Sequence, residues 1–327
     1  MTSITFPNGP IKIAGNLHLP KDFSNEGSYA AIVVVHPAGG VKEQTAGLYS
    51  SKLADEGMIA LAYDASYQGE SGGEPRQEED PYARVEDVRA ALDYLTTLEF
   101  VDQHRICVLG ICSGGGYAIN AAMTDPRIKA VGTVSAINLG AMYRAGYEGS
   151  VADMSQAVTL LEMASKARTA EAKGGRMAML PFAPQKREEG QAPDYFEAWE
   201  YYHTPRAQYP NAPSIVPVHS LARLVGYDAF HLADQLLTQP LRLIAGSQAG
   251  SLWFSQDAFK RAGSRDKRLH IVEGATHIAM YDTPEYVKEA MHQLVPLYKN
   301  AGKASLANTF VGPLSAHTAT EVAASAA

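Results

Sequence analysis

A chain of 327 residues has the length of about two ordinary domains, or of one large α/β domain carrying an insertion. Its 28 Lys and Arg against 35 Asp and Glu leave a formal charge of -7 with no basic block, which argues against a nucleic-acid partner. With 46% apolar and 19% charged residues and no apolar run near the ~18 to 20 residues that span a bilayer, a membrane protein is excluded as well. The opening MTSITFPNGP has neither the basic nor the apolar region of a secretory leader. Two cysteines make no disulfide framework, so a reducing, cytoplasmic setting is expected.

Short apolar runs of strand length alternate with amphipathic stretches of helix length, which predicts crossover connections and a mostly parallel sheet. The turn Pro7-Asn8-Gly9-Pro10 opens a hairpin whose second strand is Ile11 to Leu19. Strands follow at Ala30 to His36, Met58 to Asp64, Arg105 to Ile111 and Lys129 to Ser135, with helices at Lys42 to Glu56 and Pro81 to Leu98. Pro81 suits a first helical position, where its missing amide costs nothing. From Asn138 to Gln239 the alternation stops and aromatics, prolines and a polar patch at 186–190 crowd together, which reads as an insertion. The pattern resumes with Leu241 to Ala245, Ser255 to Ala262, Leu269 to Glu273 and Thr283 to Lys299. The expected organisation is a core of 1–137 and 240–299, a lid of 138–239, and a poorly ordered tail of 300–327 rich in Ala, Ser and Thr.

The segment RICVLGICSGGGY, Arg105 to Tyr117, runs from apolar strand through a glycine turn into a helical pattern. That is the context of a nucleophile elbow, where small residues two before and two after the nucleophile let the chain turn sharply. Gly110 and Gly114 bracket Cys112 in this way. For Ser113, the alternative nucleophile, the crowded position would fall on the branched Ile111. A helix N-terminus behind Cys112 also favours thiolate. The competing reading is a phosphate-cradling turn or an inert buried thiol. Against it stand two further segments: the small-residue loop His36-Pro37-Ala38-Gly39-Gly40, which exposes backbone amides, and Gly274-Ala275-Thr276-His277 after the last strand, which puts His277 where a general base belongs.

Together HPAGGVKEQ from His36, YDASYQGESGGEPR from Tyr63, GICSGGGYA from Gly110 and VEGATHIAMYD from Val272 resemble the α/β-hydrolase superfamily, more narrowly its dienelactone-hydrolase-like branch. They are also similar to fungal polyketide transferases that move or release acyl chains from thioesters. The resemblance spans Ile11 to Tyr298 and implies an α/β-hydrolase fold, a mostly parallel eight-stranded sheet with helices on both faces and a helical lid. It implies acyl transfer to Cys112, His277 as base, and an oxyanion hole made by the amides of Ala38 and Ser113. No cofactor or metal is implied.

The sequence departs from the pattern at the triad acid. Many relatives carry Asp after the strand that follows the lid, whereas Gly246-Ser247-Gln248-Ala249-Gly250-Ser251 has none, with Gly250 at the expected position. Asp282, Glu273, Asp64 and Asp257 are the candidates, Asp282 foremost, and a Cys-His dyad is the alternative. Asp64 has a structural reading too, since Asp64 to Ser71 resembles a turn that knits the strand end. Substrate choice falls to the lid, where Tyr195, Trp199 and Tyr202 stand among further rings and methionines. They either close over a bulky or aromatic acyl group or form the lid's own core. The expected partner is a small-molecule acyl substrate, with no nucleic acid and no membrane; oligomeric state is open, a homodimer included. The alternatives to hydrolysis are acyl transfer to another acceptor, carbon-carbon cleavage on the same scaffold, and ligand binding without turnover.

Overall fold

A computed structural model describes residues 1–151, 153–187 and 192–302 of the chain. The tail expected at 300–327 lies outside the described residues from 303 onward, and the polar patch at 186–190 lies outside them from 188.

The chain opens with β1 (Thr2–Asn8) and β2 (Ile11–His18), an antiparallel pair in which Asn8 faces Ile11 across the Gly9-Pro10 turn. There follow β3 (Tyr29–Val35), α1 (Thr45–Asp55), β4 (Ile59–Tyr63), α2 (Pro81–Thr96), β5 (Val101–Ile111), α3 (Ser113–Thr124) and β6 (Val131–Val134). Residues between β6 and the next sheet strand form α4 (Leu139–Ala145), α5 (Ser155–Ala172), β7 (Met179–Pro181), α6 (Pro193–His203), β8 (Ile215–Pro217), α7 (Leu221–Gly226) and α8 (Ala233–Leu236). The chain then completes the sheet with β9 (Leu241–Gly246), α9 (Leu252–Arg261), β10 (Lys267–Val272), α10 (Ala279–Asp282) and α11 (Pro284–Asn300).

This is the α/β-hydrolase fold. Eight strands lie in the order β1-β2-β4-β3-β5-β6-β9-β10. The two hairpin strands are antiparallel to each other and β2 is antiparallel to β4; the remaining neighbours run parallel. Burial on both faces explains the unbroken apolar runs. In β3, Ala31, Val33 and Val35 join the core beneath α2, α3 and α9, while Ala30, Ile32 and Val34 join that beneath α1 and α11.

Two local departures have physical causes. Helix α1 starts at Thr45, three residues later than the pattern suggests, because Lys42 is tied to Asp64: its backbone N–H donates to Oδ1 and its Nζ to Oδ2, both at 2.8 Å. Glu70 N–H donates to Asp64 Oδ2 and the Ser71 hydroxyl to the Asp64 carbonyl, so Asp64 closes the turn at the strand end. The second departure is the antiparallel pair β7 and β8, whose three-residue strands are too short to show a period of two.

Candidate functional site

Strand β5 delivers Cys112 at φ 56° and ψ -126°, left-handed backbone that costs a non-glycine residue about 1–3 kcal/mol and persists only where the surroundings hold it. They do so through both of its peptide groups. Cys112 N–H donates to the Val134 carbonyl at 3.0 Å, and the Cys112 carbonyl accepts from Gly115 N–H and Ile137 N–H, each at 2.9 Å. The bracketing glycines have no room for a side chain: a Cβ on Gly110 would lie 2.2 Å from the Gly114 carbonyl oxygen, and one on Gly114 would lie 2.2 Å from that of Val35. Cys112 lines a cavity of about 160 Å³. Ser113 is buried, and its Oγ accepts the N–H of Ala38 at 2.7 Å.

His277 is buried beside the same cavity, and the hydroxyl of Tyr281 lies 2.9 Å from its Nε2. Tyr281 also acts electrostatically on Cys112 and Tyr202, so it neighbours both histidine and thiol. His277 lies in the turn before α10, and its ring meets that of Tyr281 edge-on, with centroids 5.4 Å apart and planes at 62°. On the other ring nitrogen, Ser251 Oγ lies 2.6 Å from Nδ1, and Ser251 is near enough to the Tyr147 hydroxyl to favour its ionised form. Tyr147 donates to Asp194 Oδ2 at 2.9 Å; Gly250 N–H donates to the same oxygen at 2.8 Å and His277 N–H to Asp194 Oδ1 at 3.1 Å.

Asp282, the foremost candidate acid, is placed elsewhere. Arg206 takes its carboxylate with two donors, Nε to Oδ2 at 2.8 Å and Nη2 to Oδ1 at 2.6 Å, and Ser251 holds the place at Nδ1. Of the other acids, Asp64 is bound to Lys42, Asp257 pairs with Arg261 and Glu273 is exposed. Tyr202 and Tyr195 line the cavity, whereas Trp199 does not and packs against Phe196 with ring centroids 5.9 Å apart. Ala38 lines it as well, although its N–H is held by Ser113 Oγ. Met154, Met163 and Met177 are exposed on the surface; the methionine in the cavity wall is Met142. Ser251, Tyr281, Tyr147 and Asp194 were given no role by the motifs: Tyr281 sits within VEGATHIAMYD and Ser251 in the loop searched for an acid, while Tyr147 and Asp194 lie in no quoted motif, the nearest signal being Pro193-Asp194, a helix start that reads as solvent-facing.

Burial sets the electrostatics. The Cys112 thiol is pushed up to about 11 by burial, against opposing hydrogen bonds from Tyr281 and the Ser113 backbone. The helix N-terminus therefore does not produce a resting thiolate. His277 is lowered to about 4, again by burial, with the Asp194 charge working the other way. Near neutral pH both groups are uncharged, and a thiol with this pKa is ionised to about one part in ten thousand at pH 7, against a few per cent for a free cysteine. Alkylation of Cys112 by iodoacetamide is accordingly expected to rise about tenfold per pH unit from 7 towards 10; a plateau above pH 8.5, followed by peptide mapping, would show an ordinary thiol instead.

Apolar side chains such as Ile137, Leu139, Phe182 and Ile278 make up much of the remaining wall, to which Tyr147, Asp194, Ser214 and Tyr281 add polar groups. Among the described residues no three His, Cys, Asp or Glu side chains gather as a metal-holding group, and no helix is long and apolar enough to cross a membrane.

A family model described as "Alpha/beta hydrolase family" matches residues 32–290 of the chain. The uncharacterized protein YcjY of Escherichia coli (strain K12) is 52% identical over 298 residues, 91% of this chain and 97% of YcjY. The crystal structure of hypothetical protein PA2218 from Pseudomonas aeruginosa superposes with a TM-score of 0.85 at 32% identity, covering 92% of this chain and 93% of that one. Thiohydrolase aneE of Aspergillus aculeatus is 30% identical over 176 residues, 54% of this chain and 52% of its own length.

Proposed function

The chain belongs to the alpha/beta hydrolase family, and from that premise we propose that it hydrolyses an acyl ester, lactone or thioester through Cys112 as nucleophile and His277 as general base. The observation that carries the proposal is the placement of Cys112, held in strained backbone at the cavity wall with Tyr281 and His277 beside it. The dienelactone-hydrolase-like motifs and the likeness to a thiohydrolase support the same chemistry. Residues 138–239 act as the lid in this scheme, and a reduced, cytoplasmic setting keeps the thiol free.

Because the resting thiol is protonated, deprotonation accompanies attack. Cys112 gives its proton to the Tyr281 oxygen as Tyr281 passes its own to His277 Nε2, and Sγ forms a bond to the acyl carbon. The carbonyl electron pair moves to oxygen, where the N–H of Ser113 stabilises it. Ala38 supplies the second N–H once the Ser113 hydroxyl turns away from it. When the carbonyl re-forms, the leaving alcohol or thiol departs with the proton returned from His277 through Tyr281. Water, deprotonated along the same route, then attacks the acyl-thioester, and the Cys112 thiol and a carboxylic acid are released. The cavity of about 160 Å³ is the size that accepts a benzene-like group, so a compact apolar or aromatic acyl group suits it.

Steady-state hydrolysis of an activated aryl acetate and of a short acyl thioester tests the proposal. Wild type is expected to turn over at least one, and His277→Ala to lose about 10²- to 10⁴-fold in kcat, the worth of a positioned general base. Wild-type activity in His277→Ala, or no turnover of either substrate by wild type, would contradict it.

A further inference from the structure

Each ring nitrogen of His277 has a partner, Ser251 Oγ at Nδ1 and the Tyr281 hydroxyl at Nε2, and the far end of the network decides which nitrogen carries the proton. A carboxylate only accepts, so Tyr147 gives its single hydroxyl hydrogen to Asp194. The Tyr147 oxygen is then left as an acceptor, and Ser251 is the neighbour that acts on it in the sense of a donor. Ser251, its one hydrogen committed, must accept from His277. Nδ1 therefore carries the ring proton, and the Nε2 lone pair is left facing Tyr281 and Cys112. Donation runs one way throughout, from Nδ1–H through two hydroxyls to Asp194.

Resting on the Cys112 and His277 roles proposed above, we infer that Asp194, carried on α6, is the acid that positions the base, fixing the His277 tautomer through Tyr147 and Ser251. The base is thus set only while α6 holds Asp194 against the loops after β9 and β10. The missing aspartate at Gly250 has its explanation here. A Cβ on Gly250 would lie 2.9 Å from Cε1 of Tyr147 and 3.2 Å from Cγ of Glu148, so the Tyr147 ring fills the room an acid on that loop would need. Asp194 reaches the same place from the opposite side and binds the backbone after both β9 and β10, at Gly250 N–H and His277 N–H. It is the second residue of α6, behind Pro193, yet only 8% exposed. An aspartate in a first helical turn ordinarily faces water; burial here goes with three donors to its carboxylate. The groups facing His277 are Ser251 ahead of α9, Tyr147 after α4, Asp194 on α6, Tyr281 on α10 and, beyond Tyr281, Cys112 and Tyr202. Asp194 is the charged member of that set, and its charge works against the effect of burial on the imidazole.

The test compares Asp194→Asn, Asp194→Glu and Tyr147→Phe with wild type by steady-state kinetics on an aryl acetate, and by proton NMR of the His277 Nδ1–H, assigned by its loss in His277→Ala. Asp194→Asn and Tyr147→Phe are expected to lower kcat about 10- to 100-fold, less than the ~10⁴-fold cost of neutralising an acid bonded directly to its histidine. KM is expected to stay within about twofold, as for an interaction made in the transition state. The downfield Nδ1–H resonance is expected to move upfield or vanish in both variants, and Asp194→Glu to retain more activity than Asp194→Asn. Should Asp194→Asn fail to fold, Tyr147→Phe decides alone, since it leaves both backbone bonds of Asp194 in place. Wild-type kcat and an unmoved resonance in Tyr147→Phe would overturn the inference, as would equal losses in Asp194→Glu and Asp194→Asn. Failure of the underlying mechanism is seen separately, as full turnover by Cys112→Ala.

Discussion

Cys112→Ala is expected to abolish turnover of aryl esters and acyl thioesters, while Ser113→Ala keeps most of it. The two side chains are neighbours in sequence, but the elbow sends them to different places. Cys112 faces the cavity, whereas the Ser113 hydroxyl is buried against the N–H of Ala38. Removing a nucleophile that acts as one unit with its base costs roughly 10⁴- to 10⁶-fold, because what remains is binding and oxyanion stabilisation alone. Removing the Ser113 hydroxyl leaves its backbone N–H in place and releases that of Ala38. The expected loss in kcat/KM is therefore within about tenfold, below the ~10²- to 10³-fold typical of a lost oxyanion donor. Equal losses in the two variants, measured under the same conditions, would remove the case for a cysteine nucleophile.

Gly114→Ala is expected to be among the most destabilising single substitutions in the chain. The added methyl would stand 2.2 Å from the Val35 carbonyl oxygen and 2.8 Å from that of His36. Both are backbone atoms of β3 and its outgoing loop, so relief requires the sheet or the elbow to move. Overpacking of this kind typically costs about 1–3 kcal/mol, and here the shift would also displace Cys112 and the loop bearing Ala38. Urea denaturation should therefore show a lower midpoint together with lost activity. Gly226→Ala is the control: a methyl there, at the end of α7, would have nothing within 4 Å of it, and a compatible Gly→Ala change stabilises by about 0.4–1 kcal/mol. Equal midpoints for the two variants would show that the elbow is not crowded as described.

The sheet and the elbow were legible in the sequence because each rests on local pattern. Doubly buried strands such as Ala30 to Val35 appear as continuous apolar runs, and Gly110-Ile111-Cys112-Ser113-Gly114 carries its spacing in five residues. His277 was legible through its position after the last strand. The surroundings of that histidine were not. Asp194 and His277 are 83 residues apart in sequence, and their meeting depends on how α6 seats on the sheet, which no periodicity encodes. Asp282 looked suitable because it is near His277 in the chain, but α10 turns it outward to Arg206 while Tyr281, one residue earlier, turns inward. Ring density in 138–239 was equally ambiguous: Tyr202 and Tyr195 line the cavity, whereas Trp199 packs with Phe196. Nor does a turn at a helix N-terminus reveal its depth, so the expected help to thiolate formation was outweighed by burial.

The most direct test of the central claim is the site of acylation. Brief exposure of the protein to an activated aryl acetate or a short acyl thioester, followed by acid quench, intact-mass measurement and peptide mapping, locates any covalent intermediate. A single added acyl group on the Cys112 peptide in wild type, lost in Cys112→Ala and formed slowly in His277→Ala, is the expected result. An acyl group on Ser113, or turnover that continues in Cys112→Ala, would contradict it.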